Sequence, residues 1–282
     1  MQFSVLIQYI LPHRLLSRLV YWATRWTWRP WKNFLIAQIT RRYSVDLSEA
    51  EDPGAQGFVH FNAFFTRALK PGARGFEARE DAVLSPADGR VSQSGAIREG
   101  RIFQAKGQDY TAGELLGDDD AAQPFRNGSF ATIYLSPRDY HRAHMPLAGT
   151  LVETIHVPGR LFSVAPFAVA AIPRLFARNE RLVCRFEGEC GPFVVVMVGA
   201  MLVSSVSTVW SGQEIPAYAS RIVRKDWRGR GIRLERGAEM ARFNMGSTVI
   251  VLLSDAVGGF ATTLAPEQSV HVGEVVGNLS MR

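Results

Sequence analysis

The strongest constraint on the fold is a series of short apolar segments after residue 80, rich in Val, Ile and Leu. Gly, Pro and Asn separate these segments, which predicts strands joined by turns, and the continuous apolar runs are typical of strands buried in a compact core. Long helices do not alternate with them, which disfavours a dinucleotide-binding sheet. The predicted strands cover residues 90–97, 129–135, 150–157, 182–186, 193–198, 202–210, 248–253 and 269–276.

The region before these strands predicts helices. Pro12 and Pro30 suggest helices over residues 14–29 and 31–42, because proline ends or begins a helix more readily than it continues one. Residues 61–69 predict a further short helix. We therefore expect an α+β fold in which N-terminal amphipathic helices precede a mostly antiparallel β core.

Two domains are expected from this pattern, residues 1–45 for the helices and 46–282 for the β core. Within the core, Thr111 followed by Glu114 is a candidate capping box for a short helix. Cys184 and Cys190 flank a predicted hairpin turn, and their spacing matches no metal site or disulfide framework, so reduced structural thiols are expected.

Positive charge is concentrated at the N-terminus. The chain of 282 residues has a formal net charge of +6, yet residues 1–44 contain no Asp or Glu and seven Arg or Lys residues. The remainder is close to neutral. A basic segment of this kind attracts an anionic partner, either nucleic acid or anionic lipid.

Tryptophans among these arginines favour lipid. Four of the six tryptophans lie within residues 22–31, and the mixture of Trp, Arg and Leu is typical of a helix that lies in the membrane interface. A nucleic-acid surface would more often bring clustered Lys with Gly and Ser, so no nucleic acid is expected. The alternative is a helix packed on its own domain or on a dimer partner. The candidate membrane-docking residues are Arg14, Arg18, Trp22, Arg25, Trp26, Trp28 and Trp31.

No segment is apolar for the approximately 20 residues that a spanning helix needs. Residues 3–11 lack the preceding basic region and the following cleavage site of a signal peptide. We therefore expect a peripheral protein on the cytoplasmic side of the cell membrane.

Three polar segments interrupt the apolar pattern. They are SPADG at residues 85–89, SPRDYHRAHMP at residues 136–146 and FNMGST at residues 243–248. Taken singly, each has an ordinary explanation as a turn, as structural histidines or as the start of a strand. His141 and His144 would share one face if they lay on a helix, but further metal ligands are not evident, so no metal is expected.

Together the segments supply Asp88, His144 and Ser247, the components of an orienter, a base and a nucleophile. Gly-Ser-Thr is not the nucleophile elbow of hydrolases. A serine that follows glycine and enters a buried strand suggests that the hydroxyl attacks its own backbone, because glycine allows close approach to the preceding carbonyl.

These three segments resemble the signatures of bacterial phosphatidylserine decarboxylases. Further similar segments occur in order along nearly the whole chain: FNAFF (61–65), QAKG (104–107), FRNG (125–128), VPGRLFSV (157–164), LFARNER (175–181) and VGA (198–200). Met245 is the main departure, since the family more often has Leu there, and the two side chains are similar in volume.

The resemblance implies self-cleavage between Gly246 and Ser247. His144, oriented by Asp88, would remove the hydroxyl proton of Ser247, whose oxygen attacks the Gly246 carbonyl. The products would be a long chain of residues 1–246 and a short chain of residues 247–282. Ser247 would become a pyruvoyl group, and the two chains would remain together as a heterodimer, with further dimerisation left open.

The resemblance also implies the reaction. The pyruvoyl carbonyl would form a Schiff base with the serine amine of phosphatidylserine, CO₂ would leave, and hydrolysis would release phosphatidylethanolamine. His141 and His144 are the candidates for carboxylate contact and proton transfer, in an undecided order. No metal, pyridoxal phosphate or nucleotide is required. The alternatives are a pyruvoyl decarboxylase of another amino acid, an Asp-His-Ser hydrolase and an inactive membrane-binding relative.

Overall fold

The computed structural model describes residues 3–52, 54, 56–201, 205–214, 220–244 and 247–280, with the backbone alone described for Phe3 and Ser247. The α-helices in these ranges are α1 (Phe3–Ile10), α2 (His13–Arg25), α3 (Arg29–Tyr43), α4 (Phe61–Phe65), α5 (Ala112–Leu116), α6 (Asp119–Ala122), α7 (Pro166–Ala171) and α8 (Leu175–Arg178), with a 3₁₀ turn at Gln123–Phe125. The strands are β1 (Ala82–Leu84), β2 (Gly89–Ala96), β3 (Arg101–Ala105), β4 (Gln108–Thr111), β5 (Ser129–Leu135), β6 (Arg142–His144), β7 (Gly149–Val157), β8 (Arg181–Gly188), β9 (Gly191–Gly199), β10 (Ser205–Thr208), β11 (Gly212–Gln213), β12 (Val223–Asp226), β13 (Arg233–Leu234), β14 (Glu239–Asn244), β15 (Ser247–Leu253), β16 (Gly258–Phe260), β17 (Ser269–Val270) and β18 (Val275–Leu279).

The largest sheet confirms the expected α+β class. Its strands follow the order β12-β7-β8-β9-β15-β5-β2-β17, with β13 also paired to β7, and the pairings of this sheet are antiparallel. A second sheet has the order β11-β10-β14-β6, and a third has the order β1-β18-β16. β3 and β4 form a separate hairpin.

Burial on both faces of the large sheet explains the continuous apolar runs in the sequence. Ile250 and Leu252 of β15 pack into one core cluster, whereas Val249, Val251 and Leu253 pack into the other. Successive side chains of a strand point to opposite faces, so a strand that is covered on both sides must be apolar at every position.

The C-terminal segment completes the sheets. β15 pairs with β5 on one side and with β9 on the other, over the whole length from Ser247 to Leu253. β18 lies between β1 and β16 in the third sheet. The strands of residues 247–280 are therefore built into the core and do not form an appendage.

The N-terminal helices differ from the prediction around Pro30. α2 ends at Arg25, and the backbone is extended at Trp26 and Trp28 before α3 begins. Pro30 lies in the first turn of α3, where its missing N–H leaves no helical hydrogen bond unmade. Proline therefore begins a helix here instead of ending one. A second difference is α1, a helix that the sequence analysis did not predict.

The strand boundaries agree with the prediction except at two places. The expected strand over residues 269–276 is divided into β17 and β18, because the chain turns at Gly273, whose φ is +87°. The expected strand over residues 202–210 is described only from Ser205 to Thr208, and residues 202–204 lie outside the described residues.

Two local predictions are confirmed. Thr111 and Glu114 form a reciprocal capping box at the start of α5. Cys184 and Cys190 are free thiols in the β8–β9 hairpin. In the described part of the chain, no helix combines the length and the apolar character needed to cross a bilayer.

The central position of β15 predicts where the fold is most sensitive. Ile250→Ala removes a fully buried side chain and should lower the free energy of unfolding by about 2–5 kcal/mol. Val275→Ala on β18 is the control, since Val275 is 39% exposed and should cost less than about 1 kcal/mol. Urea unfolding followed by tryptophan fluorescence measures both, and equal losses would contradict the central placement of β15.

Candidate active site

The structure brings the second and third polar segments together. β5 ends opposite Ser247, the first residue of β15. The chain continues through a loop over residues 136–141, and the carbonyl of His141 accepts a hydrogen bond of 3.0 Å from the amide of Phe243. The loop therefore begins and ends beside residues on either side of Gly246. Gly246, the expected cleavage position, lies outside the described residues.

The first polar segment joins them through the backbone. The amide of His144 donates to the carbonyl of Pro86 at 2.8 Å. Gly89 allows β2 to begin next to β5, because a Cβ atom at this position would lie 2.2 Å from the carbonyl oxygen of Tyr134. Asp88 lies between these two contacts and is thereby held at the end of the main sheet where β5 ends and β15 begins.

Asp88 is oriented by Arg74. The Oδ1 atom of Asp88 accepts hydrogen bonds from the amide of Val272 at 2.8 Å and from Nε of Arg74 at 3.1 Å, and Oδ2 accepts from Nη2 of Arg74. Neither ring nitrogen of His144 forms a hydrogen bond with Asp88, since Nδ1 and Nε2 are bound to Gly237 and Tyr140. The direct orienting contact expected from the sequence is therefore not present. Asp88 instead acts on His144 through its negative charge.

A backbone carbonyl orients His144 in place of the carboxylate. Nδ1 of His144 lies 2.8 Å from the carbonyl oxygen of Gly237. A carbonyl can only accept, so Nδ1 carries the proton and donates it. Nε2 lies 3.0 Å from the hydroxyl of Tyr140. In the neutral ring, Nε2 is therefore unprotonated and accepts from Tyr140, which leaves the basic nitrogen at a defined position.

Burial favours this neutral form. Desolvation lowers the pKa of His144, although the hydrogen bond to Gly237 and the negative charge of Glu239 oppose the change. Burial also raises the pKa of Tyr140 to about 12, so the hydroxyl remains a donor. Near neutral pH the site therefore holds an uncharged base.

His141 is a second neutral imidazole in a different environment. It is fully buried, its ring centre lies 3.9 Å from that of Phe65, and its Nδ1 donates to the carbonyl of Asp139 at 2.8 Å. Burial lowers the pKa of His141 to about 3. Its Nε2 is buried and has no hydrogen-bond partner among the described residues. The unprotonated Nε2 is therefore an acceptor available to a ligand.

The two histidines do not share a helix face. Residues 142–144 form β6, which pairs with β14, and His141 immediately precedes this strand. Side chains in a strand alternate between faces, so a spacing of three places them on opposite sides. This explains why His141 is enclosed while His144 lines a pocket.

The pocket beside His144 has a volume of about 260 Å³, and its wall combines charged side chains with apolar ones such as Leu69 and Phe76. Burial would raise the pKa of Glu239, but hydrogen bonds from Arg242 and Arg142 lower it, so the carboxylate stays ionised. Arg74, Tyr140 and Arg142 also line the pocket. These groups suit a charged headgroup better than an apolar ligand. Among the described residues, no cluster of three or more His, Cys, Asp or Glu could hold a metal ion.

Sequence reasoning did not find the roles of three residues. Tyr140 lies within the second polar segment, so its position could have suggested a role beside His144. Arg74 and Gly237 are distant in sequence and belong to no recognisable motif, and only the tertiary structure brings them to Asp88 and His144.

The candidate docking residues divide into two groups. Arg14, Arg18, Trp22, Trp26 and Trp28 are exposed. Trp31 and Arg25 are half-buried and bound within the helical region. The indole of Trp31 donates to the carbonyl of Ala23 at 2.8 Å, and the guanidinium of Arg25 lies 3.7 Å from the ring centre of Tyr21.

The fold and site define a class of protein in which an antiparallel β core, with the strand that begins at Ser247 lying between β5 and β9, carries a pocket lined by a neutral histidine base. Comparison with known proteins gives this class a family. The family model described as "Phosphatidylserine decarboxylase" matches residues 61–278, and a second model, described as "PSD", matches residues 3–44.

Curated relatives agree with the family models. A phosphatidylserine decarboxylase proenzyme of Xanthomonas campestris pv. campestris (strain B100) is 62% identical over 271 residues, 96% of each chain. The proenzyme of Stenotrophomonas maltophilia (strain R551-3) is 58% identical over 279 residues, 99% of this chain and 100% of that protein. The chain therefore belongs to the phosphatidylserine decarboxylase family, which confirms the resemblance seen in its motifs.

The contact between Tyr140 and His144 generates a prediction about pH. The hydroxyl of Tyr140 donates to Nε2 and stabilises the neutral ring, so Tyr140→Phe should raise the pKa of His144. A base with a higher pKa becomes protonated at a higher pH as the pH is lowered. The rate of any reaction that needs neutral His144 should therefore begin to fall at a higher pH in the variant than in the wild type. NMR titration of the imidazole measures the change. The exposed His271 is the internal control, and an unchanged His144 pKa would contradict the assigned hydrogen bond.

Proposed function

We propose that this chain cleaves itself between Gly246 and Ser247 and then decarboxylates phosphatidylserine to phosphatidylethanolamine and CO₂. The observation that carries the proposal is the neutral His144, whose Nε2 is a base. His144 contacts Tyr140 of the loop over residues 136–141, which begins opposite Ser247 and ends beside Phe243. Membership of the phosphatidylserine decarboxylase family supports the substrate, and the curated relatives are named proenzymes.

Cleavage begins when the hydroxyl of Ser247 replaces that of Tyr140 as the donor to Nε2 of His144. His144 takes the proton, the Ser247 oxygen attacks the Gly246 carbonyl, and the peptide bond becomes an ester as the nitrogen regains a proton. Loss of the Ser247 α-proton then expels Gly246 as a carboxylate. Water replaces the nitrogen of the resulting dehydroalanine, and ammonia leaves.

Asp88 supports this proton transfer electrostatically. Its negative charge raises the pKa of His144 and so stabilises the imidazolium that forms when Nε2 accepts a proton. Arg74 and the amide of Val272 hold the carboxylate in place. Asp88 thus remains a site residue in this proposal, although its role differs from fixing the tautomer of His144.

Membership of the family and the proenzyme names of the curated relatives support a pyruvoyl group at residue 247. When present, this group supplies a carbonyl that accepts the electron pair left by departing CO₂. His141 ends the loop that begins opposite Ser247, and its buried, unpaired Nε2 can accept a hydrogen bond from the amine of the substrate. Because the ring is neutral, contact with the substrate carboxylate is better assigned to another group. His144 remains the candidate for proton transfer.

The long and short chains are expected to stay together after cleavage. β15 keeps its hydrogen bonds to β5 and β9, and its apolar side chains remain in both cores, whether or not the bond before Ser247 is intact. This supports a heterodimer of residues 1–246 with residues 247–282.

Docking to the cytoplasmic face of the cell membrane is supported by the orientation of α2. Its buried residues are polar, namely His13, Ser17 and Thr24. Leu15 and Trp22 lie on the opposite side and expose 55% and 71% of their surface. A helix that turns its apolar side outward needs an apolar medium to cover it.

The charge of this segment supports an anionic lipid surface as the medium. Arg14 and Arg18 are exposed beside the apolar residues of α2, and Trp26 and Trp28 are exposed after its end. Arginine attracts anionic headgroups, and indole prefers the boundary between water and lipid. The substrate is itself an anionic lipid of such a surface.

The first test of the function is Ser247→Ala. Denaturing mass spectrometry should show a single uncut chain without a carbonyl, whereas the unmodified protein gives two chains and a hydrazine adduct on the short one. Ser254→Ala is the control at the other end of β15 and should still be cleaved. An uncut wild-type chain that a serine-directed phosphonate labels would support the hydrolase instead.

A second test concerns docking. Replacing Leu15, Leu19 and Trp22 together by Ser should weaken binding to vesicles of phosphatidylglycerol and phosphatidylcholine at least about tenfold, because three apolar contacts are lost. Self-cleavage should be unaffected. Phe103→Ser, at an exposed apolar residue of β3, is the control. Equal sedimentation of the triple variant and the wild type would contradict docking through α2.

A further inference from the structure

Arg67 is a buried arginine that the fold leaves partly without partners. The residue is 5% exposed. Its Nη2 donates to the carbonyl of Arg138 at 3.0 Å and to that of Asp139 at 3.5 Å. Its Nε and Nη1 are buried and have no hydrogen-bond partner among the described residues. Two donors of a charged group are therefore left unused, which is costly unless a ligand or water meets them.

Arg181 shows that the same fold can give every nitrogen of a buried guanidinium a hydrogen-bond partner. Arg181 is 2% exposed, and each of its three nitrogens donates to backbone carbonyls, at 2.5 to 2.8 Å. Its role is structural. The contrast with Arg67 indicates that the open donors of Arg67 are a feature of its site and not a general property of buried arginines here.

Arg67 and His141 share a hydrogen-bond acceptor. Both donate to the carbonyl of Asp139, Arg67 through Nη2 and His141 through Nδ1. The rings of Phe64 and Phe65 pack against Arg67 and His141 respectively. Arg67 and His141 are thus both bound to the backbone of the loop over residues 136–141, and each has a buried polar atom without a partner among the described residues.

The chemistry of these donors selects an oxyanion. Nε and Nη1 lie on different edges of the planar guanidinium, so each can donate separately, and the positive charge favours an anionic oxygen of a phosphate or a carboxylate. The charge of Arg67 is permanent, so the group it binds should also be charged.

We propose that Arg67 binds an oxyanion of the phospholipid headgroup, namely its phosphodiester. This inference rests on the proposed function. The carboxylate is the other anion of the same headgroup, but it loses its charge as CO₂ leaves, so an arginine bound to it would stabilise the ground state more than the transition state. The phosphodiester keeps its charge throughout, and binding it holds the headgroup without opposing the reaction.

The test compares Arg67→Met with Arg98→Met, a control at an exposed arginine in the turn between β2 and β3. The cleaved enzymes are assayed with short-chain phosphatidylserine, with short-chain phosphatidylethanolamine as the product inhibitor. Phosphatidylethanolamine keeps the phosphodiester and lacks the carboxylate. For Arg67→Met, KM and the inhibition constant should both rise about tenfold to hundredfold, with kcat changed much less.

Each other outcome overturns part or all of this inference. A rise in KM with an unchanged inhibition constant would assign Arg67 to the carboxylate. Unchanged values of both would mean that water alone meets its donors. Arg67→Lys keeps the charge and loses the separate guanidinium donors, and it should give intermediate values if both the charge and these donors bind the phosphodiester.

A binding measurement covers the case in which Arg67→Met is not cleaved. Titration of uncut Ser247→Ala protein with glycerophosphoethanolamine, followed by NMR, should show weaker binding when Arg67→Met is added, and equal binding would overturn the proposal. Failure of the proposed function is distinguishable, because the wild type would then remain uncut and show no decarboxylation.

Discussion

The antiparallel pairing of β15 with both β5 and β9 is the interaction on which the rest of the structure depends. It places Ser247 opposite the end of β5 and so fixes where the loop of residues 136–141 begins. Because alternate residues of β15 fill the two cores, the same strand holds the sheet together and sets the position of the site. A break in the chain before Ser247 would remove one covalent bond and leave this packing intact, so a chain cut there can remain folded.

Desolvation determines which residues of the site carry charge. Burial lowers the pKa of both His141 and His144, and for His144 it outweighs the negative charges of Glu239 and Asp88, so both rings are neutral near neutral pH. Asp88 keeps a direct ion pair with Arg74. The neutral histidines can therefore accept hydrogen bonds and protons, and the charged guanidinium groups can bind anions. This division follows from burial more than from residue type.

Sequence patterns predicted the parts of the fold that depend on local chemistry. The boundaries of β5, the capping box of α5 and the meeting of the three polar segments follow from apolar runs, turn residues and motifs. The partners of the site residues could not be predicted, because Arg74, Gly237 and Arg67 approach it from distant parts of the chain. Asp88 illustrates the limit. An Asp-His-Ser set suggests direct contact, yet a nearby arginine binds the carboxylate more strongly than a neutral imidazole can.

The short helix α4 connects the outer helices to the site. On one side its phenylalanines pack against Ile36 of α3, in a cluster that also includes Val45 and Phe58. On the other side Phe65 contacts the ring of His141, and Arg67 follows two residues later. A rigid packed element transmits position better than a loop, so the helices that bear the exposed Trp and Leu side chains share a support with the polar groups of the pocket. If those helices lie on a membrane, α4 sets the distance between the lipid surface and the site, and a headgroup could reach the site while its acyl chains remain in the bilayer.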